Sequence, residues 1–167
     1  KKLDLSRTTL TNLIARLIDL RLVTELEGND PNGRGRPGIP VDLDTAAWFA
    51  LGAVFHSGRW VFVITNLRGE VQVRRTSPTV CADPNSFRAS LVGGIADIRD
   101  ESPGKLLPAV GIGVPGVGNW ETGTIVRADD LGWENVDIAG VVRANARLDA
   151  YVLNRNRAAA IAEARYG

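Results

Sequence analysis

The chain has 167 residues and 44% hydrophobic content, enough for one ordinary domain or two small domains with a packed core, which excludes a disordered protein. Its net charge of +1 gives no general attraction for polyanions, and because it has one cysteine and one histidine, we expect neither a disulfide within the chain nor a metal site or cofactor. Its longest apolar run is too short to span a bilayer and it shows no signal-peptide pattern, so we expect a cytoplasmic protein without membrane contacts.

The first predicted element is a helix that begins after Ser6, a good N-cap residue. Apolar residues recur at helical spacing and form one face: Leu10, Leu13, Ile14, Leu17 and Leu20. The opposite face is small and polar, with an arginine at each margin: Arg7, Thr8, Thr11, Asn12, Ala15 and Arg16. Short hydrogen-bonding side chains suit the floor of a DNA major groove, where base edges must be approached closely. This pattern predicts a DNA-reading helix, with all of these polar residues as contacts.

A strand is predicted in "RLVTELEG" and a returning strand in "GIPVDLD", on either side of the loop "NGRGRPG". Helix, strand, glycine-rich loop and strand in this order form the second half of a winged helix-turn-helix. We therefore predict that Arg34 and Arg36, at the tip of the wing, enter a narrow minor groove, whose negative potential attracts arginine. Taken alone, the loop would be interpreted as an ordinary solvated hairpin tip.

From residue 45 the pattern changes to α/β. Three β-rich segments predict a meander, and an amphipathic helix follows in "DPNSFRASLVGGIADIRD". A buried strand in "PAVGIGVPG" and a hairpin in "NWETGTIV" come next, and then a helix in "VDIAGVVRANAR", a strand in "AYVLN" and a helix in "RAAAIAEARYG". This order predicts an α/β layer with a mixed sheet. We place a partial winged-helix domain in residues 1–44 and a second domain in residues 45–167.

Several blocks in fixed order carry a family resemblance. "LSRTTLTNLIARLIDLRLVTELEG", "GRGRPG", "LGAVFHSGRWVFVITNLRGE", "GIGVPGVGNWETGTIVRADDLGW" and "VLNRNRAAAIAEARYG" together resemble the DNA-binding branch of the Repressor, ORF, Kinase (ROK) family. The resemblance implies a winged helix followed by the first lobe of an RNase H-like, actin-like sugar-kinase fold. It also implies two further helices before residue 1 and a second lobe after residue 167. Since the chain also contains no methionine, we expect an internal fragment of a longer protein.

The resemblance implies a loss of kinase chemistry. Family kinases have an Asp where this chain has Val54, followed by a glycine-rich turn that here reads His56-Ser57-Gly58. Their catalytic Asp corresponds to Arg155, and a guanidinium cannot act as a general base. We therefore expect no kinase activity. Gly116 and Asn154 match sugar-side positions of the family, and Asp130 stands where the family usually has a sugar-contacting Asn. We predict that all three line a sugar-binding cleft.

Three functions remain open on this sequence. We favour a sugar-responsive transcriptional regulator, most simply a repressor, that binds a double-stranded operator and forms a homodimer or higher oligomer when complete. The alternatives are an active ATP-dependent ROK sugar kinase and a non-functional fragment of a decayed gene. Trp120 and Trp133 could stack on a sugar ring, but we expect them to pack in the core or in loops.

Overall fold

The computed structural model describes residues 5–27, 39–79 and 83–166. Within these residues the chain forms four α-helices, one 3-10 turn at Asp129–Leu131 and ten strands. In chain order they are α1 (Arg7–Asp19), β1 (Val23–Glu25), β2 (Val41–Leu43), β3 (Trp48–His56), β4 (Arg59–Asn66), β5 (Val71–Pro78), α2 (Pro84–Arg99), β6 (Lys105–Val114), β7 (Val117–Asn119), β8 (Thr124–Ala128), β9 (Trp133–Asp137), α3 (Ala139–Ala146), β10 (Asp149–Asn154) and α4 (Arg155–Tyr166). In this part of the chain, no helix has the length and apolar character that crossing a bilayer requires.

A five-stranded mixed sheet is the centre of the fold. Its strand order is β10-β6-β3-β4-β5, with β3, β4 and β5 as an antiparallel meander and with β6 and β10 running parallel to β3. The meander and the mixed α/β sheet confirm the predicted fold class. Two smaller antiparallel sheets accompany it: β1 with β2, and β7-β8-β9. Because β3 and β6 are parallel neighbours, they begin at one end of the sheet and finish together at the other.

The core lies between one face of the large sheet and helix α2. The helix buries four side chains on that face: Phe87, Leu91, Ile95 and Ile98. Phe87 is the centre of an aromatic cluster, with its ring 5.1 Å from Phe55 and 5.1 Å from Trp133, both in edge-to-face geometry. Such pairs add to the stabilisation that comes from burying their area. The cluster ties the sheet, α2 and the start of β9 into one core.

Helix α2 begins at a capping box. The Asp83 carboxylate accepts hydrogen bonds from the backbone N–H of Asn85 at 2.7 Å and of Ser86 at 3.1 Å. The Ser86 hydroxyl lies 3.3 Å from the Asp83 backbone N–H, which completes the box. Hydrogen bonds from Ser86 first and Asn85 second hold the pKa of the Asp83 carboxyl below its usual value. Pro84 at the first helical position needs no N–H partner, so the sequence "DPNS" sets the start of this helix.

The adjacent glycines of α2 give a testable contrast. A Cβ on Gly94 would overlap the buried ring of Phe62, whereas a Cβ on Gly93 would meet nothing within 4 Å. Because Ala is the better helix former, we expect Gly93→Ala to raise the free energy of unfolding by roughly 0.5–1 kcal/mol. Gly94→Ala should lower it by about 1–3 kcal/mol through overpacking. Urea unfolding of both variants measures the difference, and a gain in stability for Gly94→Ala would contradict this packing of α2 on the sheet.

One predicted boundary is wrong. The segment "VDIAGVVRANAR" was predicted as helix throughout, but Val136 and Asp137 belong to β9, and α3 begins only at Ala139. The Asp137 carboxylate accepts a hydrogen bond from the Gly140 backbone N–H at 2.8 Å. Asp137 thus precedes α3 and satisfies one backbone N–H of its first turn. Val136 is buried in the core through β9 pairing with β8, which overrides the helical periodicity of the segment.

Candidate functional site

Helix α1 presents its polar face to solvent. Ser6 caps the helix, as predicted, by accepting a hydrogen bond from the Thr9 backbone N–H at 3.1 Å. The five helix residues predicted to read DNA are all exposed: Arg7, Thr8, Thr11, Asn12 and Arg16. The Thr11 hydroxyl donates to the Arg7 carbonyl at 3.0 Å, so its oxygen is left as an acceptor. An acceptor at this place can pair with the amino group of adenine or cytosine in a major groove.

The apolar face of α1 is also largely uncovered by the described residues. Its leucines are 38–49% exposed: Leu10, Leu13, Leu17 and Leu20. Ile14 and Ile18 are the half-buried positions of the helix. Leucines repeated at this exposure form an apolar stripe that soluble proteins normally pack against another element. The stripe predicted from sequence therefore exists, but among the described residues it has no complete partner.

The predicted wing is described only at its base. Strands β1 and β2 pair in antiparallel register, with Val23 opposite Leu43. The pairing extends to a hydrogen bond from the Leu26 backbone N–H to the Pro40 carbonyl at 2.8 Å. Arg34 and Arg36 lie outside the described residues, so their roles stay predictions. Helix, strand and returning strand are nevertheless in the order that the sequence predicted.

Asn154 and Gly116 are in direct contact at the end of the large sheet. The Asn154 side-chain amide donates to the Gly116 carbonyl at 2.6 Å. The side-chain oxygen of the same residue accepts from the backbone N–H of Asn156 at 2.9 Å and of Arg157 at 3.2 Å, and so caps α4. Both lone pairs of that oxygen are therefore used, and the amide nitrogen donates one of its two hydrogens to Gly116. The second amide N–H can still bind a ligand.

Gly116 sits in a turn that only glycine fits. Its φ is +72°, and a Cβ there would overlap the Arg127 carbonyl and lie 2.7 Å from the Ala128 Cα. Asp130, the third predicted sugar-side residue, follows Ala128 by two positions and is exposed. Gly116 and Asn154 are therefore in contact, while Asp130 lies in the 3-10 turn that follows β8. These roles in sugar binding stay predictions.

Val54 and Arg155 lie on either side of Gly113 and line one cavity of about 440 Å³. A Cβ on Gly113 would lie 2.9 Å from the Val54 Cγ2 and 3.5 Å from the Arg155 Cα. The remaining wall of this cavity is glycine, alanine, aliphatic side chains and Tyr151, and it contains no carboxylate. Such a wall offers no ligand for Mg²⁺ and no base for a hydroxyl proton, since both need carboxylate oxygens or a comparable group. Neither Val54 nor Arg155 supplies a side-chain oxygen to this cavity.

The turn before β4 is a tight hairpin. Ser57 and Gly58 have φ of +50° and +72°, the conformation of a tight two-residue hairpin. His56 is exposed but is the last residue of β3, paired with Arg59, so the turn itself is Ser57 and Gly58. A serine in the left-handed region costs conformational energy that glycine avoids. The turn reverses the chain direction between the antiparallel strands β3 and β4.

The two tryptophans differ in burial. Trp133 is 7% exposed and packs on Phe87, as predicted for a core residue. Trp120 lies in the turn between β7 and β8 and is 52% exposed, so it belongs to a loop and not to the core. It borders a polar cavity of about 570 Å³ together with Tyr151 and the Arg143–Asp149 ion pair. The turn residues around it in "NWETG" were the available signal, because they place Trp120 at a hairpin tip.

Comparison with known proteins identifies the family. The model of the ROK family matches residues 59–167, which is more than half of the chain. The chain belongs to the ROK family. Among curated relatives, the xylose repressor of Caldicellulosiruptor bescii is 25% identical over 173 residues, covering 100% of this chain and 42% of that protein. The DNA-binding transcriptional repressor Mlc of Escherichia coli is 24% identical over 134 residues, covering 75% of this chain and 33% of that protein.

Solved ROK structures share the fold. A ROK family transcriptional regulator, a homologue of E. coli Mlc, superposes with a TM-score of 0.77 at 22% identity, covering 96% of this chain and 41% of that one. A ROK family glucokinase from Streptomyces griseus, solved with glucose and AMPPNP, gives 0.64 at 19% identity, covering 71% and 37%. At these identities the likeness shows the fold alone. The chain spans about two fifths of the length of the xylose repressors that it matches.

Proposed function

We propose that this chain is part of a ROK transcriptional regulator, most simply a repressor, in which α1 reads operator DNA and the lobe after it senses a sugar. The observation that carries the proposal is the exposed polar face of α1, followed directly by the paired strands β1 and β2. Recognition helices present such faces to base edges. The repressor names of the curated relatives support the same proposal.

The proposed function also implies a division of the chain into two domains. Residues 1–44 would form the DNA-binding unit, and residues 45–167 the first lobe of a kinase-like domain. The uncovered leucines of α1 support the division, because a helix-turn-helix packs that face of its recognition helix on preceding helices. A cytoplasmic location and a homodimer or higher oligomer belong to the same proposal, since operator half-sites are commonly bound by symmetric dimers.

The sensor part of the proposal rests on Gly116 and Asn154. Their contact joins the turn after β6 to the first turn of α4, and one Asn154 N–H is left to meet a hydroxyl. Asp130, exposed beyond β8, would add an acceptor for hydroxyl groups. The apolar wall around Val54 supports a lobe that binds without catalysing phosphoryl transfer.

Contrasting substitutions in α1 and the wing test the DNA-binding proposal. Duplexes selected by the complete protein from a random pool would serve as probes, and fluorescence anisotropy would measure affinity. We expect Thr8→Ala, Thr11→Ala and Asn12→Ala to change base preference, at about 1–3 kcal/mol for each lost base contact. Arg34→Ala and Arg36→Ala should weaken binding most on duplexes with A·T-rich flanks, because the wing is proposed to read a narrow minor groove there.

Arg74→Ala is the matched control, because Arg74 is an exposed arginine on β5, within the lobe. It should bind the selected duplexes as the wild type does. If Asn12→Ala and the wing variants behave like this control at physiological salt, α1 and the wing are not the DNA-reading elements. If the wild type selects no duplex at all, the DNA-binding function itself is wrong.

A further inference from the structure

The C-terminus of α1 ends in a Schellman motif that leaves the Leu20 carbonyl open to a partner outside the helix. Arg21, with φ of +56°, follows the C-cap residue Leu20. The Arg21 backbone N–H bonds to the Ile18 carbonyl at 2.8 Å, and that of Leu22 bonds to the Leu17 carbonyl at 2.9 Å. These two bonds satisfy the carbonyls of Leu17 and Ile18 but not that of Leu20.

The partner of the Leu20 carbonyl is the indole of Trp48. Its Nε1–H donates to that oxygen at 2.8 Å, across 28 residues of sequence. Trp48 is the first residue of β3, and its ring lies under the Lys105 ammonium, 4.4 Å from the ring centroid. Lys105 is the first residue of β6 and pairs with Trp48 in the sheet. The end of α1 is thus bonded to the side chain at the start of the two central parallel strands.

Two ion pairs and one backbone bond flank this contact. Arg21 pairs with Asp44 at 3.4 Å, and the Asp44 backbone N–H donates to the Leu22 carbonyl at 3.0 Å. On the other side, Asp42 of β2 pairs with Arg68 in the turn between β4 and β5. The Arg21 pair and the Arg68 pair both involve exposed arginines, so each contributes little. The Trp48 hydrogen bond is the contact among these that joins the end of α1 to β3.

The same two strands connect this contact with the candidate cleft. From Trp48 and Lys105, β3 and β6 run in parallel to Val54 and Gly113, with one register shift between Phe49 and Leu51, and Gly116 follows just beyond. A change at the cleft end that shifts β3 against β6 would move the indole that holds α1. We propose that Trp48 is a positioning residue that couples the sheet of the lobe to α1. The regulatory part of this inference rests on the proposed DNA-binding function.

Hydrogen exchange of the complete protein tests the coupling without any ligand. Trp48→Phe keeps an aromatic ring beneath Lys105 and removes the N–H donor. We expect faster amide exchange in residues 16–22 and 41–44, by about 3- to 10-fold, because one hydrogen bond is lost. Exchange in β3 and β6 should change by less than that. Trp60→Phe is a control inside the lobe, since the fully buried Trp60 donates its indole N–H to the Ser90 hydroxyl at 3.1 Å and makes its contacts in the core.

The two variants should differ in where exchange rises. Trp60→Phe should affect α2 and β4 and leave residues 16–22 at wild-type rates. If Trp48→Phe leaves residues 16–22 unchanged, or raises exchange equally through the whole sheet, the proposed coupling is wrong. Affinity for duplexes selected from a random pool should also fall about 3- to 10-fold in Trp48→Phe and not in Trp60→Phe. If the wild type selects no duplex, the DNA-binding proposal fails, while hydrogen exchange still decides the coupling.

Discussion

Gly116→Ala should destabilise the lobe by about 2–5 kcal/mol, since two independent costs coincide at this position. The residue adopts φ of +72°, which an L side chain rarely takes. Its new methyl group would also overlap the Arg127 carbonyl, a backbone atom held by β8 pairing with β7 and β9. The turn after β6 would have to move away from β8, and the Asn154 bond to the Gly116 carbonyl would be strained. Urea unfolding of the variant measures the loss.

Gly132→Ala separates the two costs. Gly132 has a similar φ of +66°, but a Cβ there would meet nothing within 4 Å. We expect a loss of roughly 1–2 kcal/mol from backbone conformation alone. Equal losses for Gly116→Ala and Gly132→Ala would show that the close approach of Gly116 to β8 does not exist in solution.

The complete protein should not phosphorylate sugars. A carboxylate at position 155 would accept the hydroxyl proton, and general-base help of this kind contributes roughly 10²–10⁴ in rate. A guanidinium carries no acceptor for that proton, and the cavity that Arg155 and Val54 line is otherwise apolar. A coupled assay with ATP, magnesium and a panel of pentoses, hexoses and amino sugars should give background rates. Arg155→Asp alone should not restore turnover, because Val54 still provides no oxygen near the metal and phosphates.

Calorimetry against the same sugar panel distinguishes binding from chemistry. We expect one sugar to bind saturably to the complete protein, and Asn154→Ser to weaken that binding. Serine keeps a capping oxygen for α4 but is too short to reach the Gly116 carbonyl or to supply the amide N–H. Unchanged binding in Asn154→Ser would contradict the sugar-side assignment. Sugar-dependent turnover above background, abolished by Asn154→Ser, would support the kinase alternative instead.

Local sequence rules predicted the regular elements well. The Ser6 cap, the meander of β3 to β5 and the start of α2 at "DPNS" follow from caps, turns and alternating apolar residues. Strand β9 was missed because "WENVD" is too short and polar to show a period of two, and it exists through pairing with β8. The hydrogen bond from Trp48 to Leu20 also could not be predicted from the sequence, since a contact between residues 28 positions apart leaves no local pattern.

The candidate site was predicted in part. Family resemblance put Gly116 and Asn154 at one site, and the structure brings them to 2.6 Å between amide nitrogen and carbonyl oxygen. The apolar character of the cavity around Val54 depends on β4 and α4 side chains that no single motif contains. The exposure of Trp120 depends on how the hairpin of β7 and β8 lies beside β10, which sequence spacing does not specify.

The three hydrogen bonds of Asn154 have a consequence for how substitutions at this position are interpreted. The side chain caps α4 and holds the turn at Gly116 at the same time. A substitution that removes all three bonds would therefore disturb two elements of the fold together. Loss of a sugar response in such a variant could come from the fold alone, whereas Asn154→Ser, which keeps a capping oxygen, leaves the start of α4 supported.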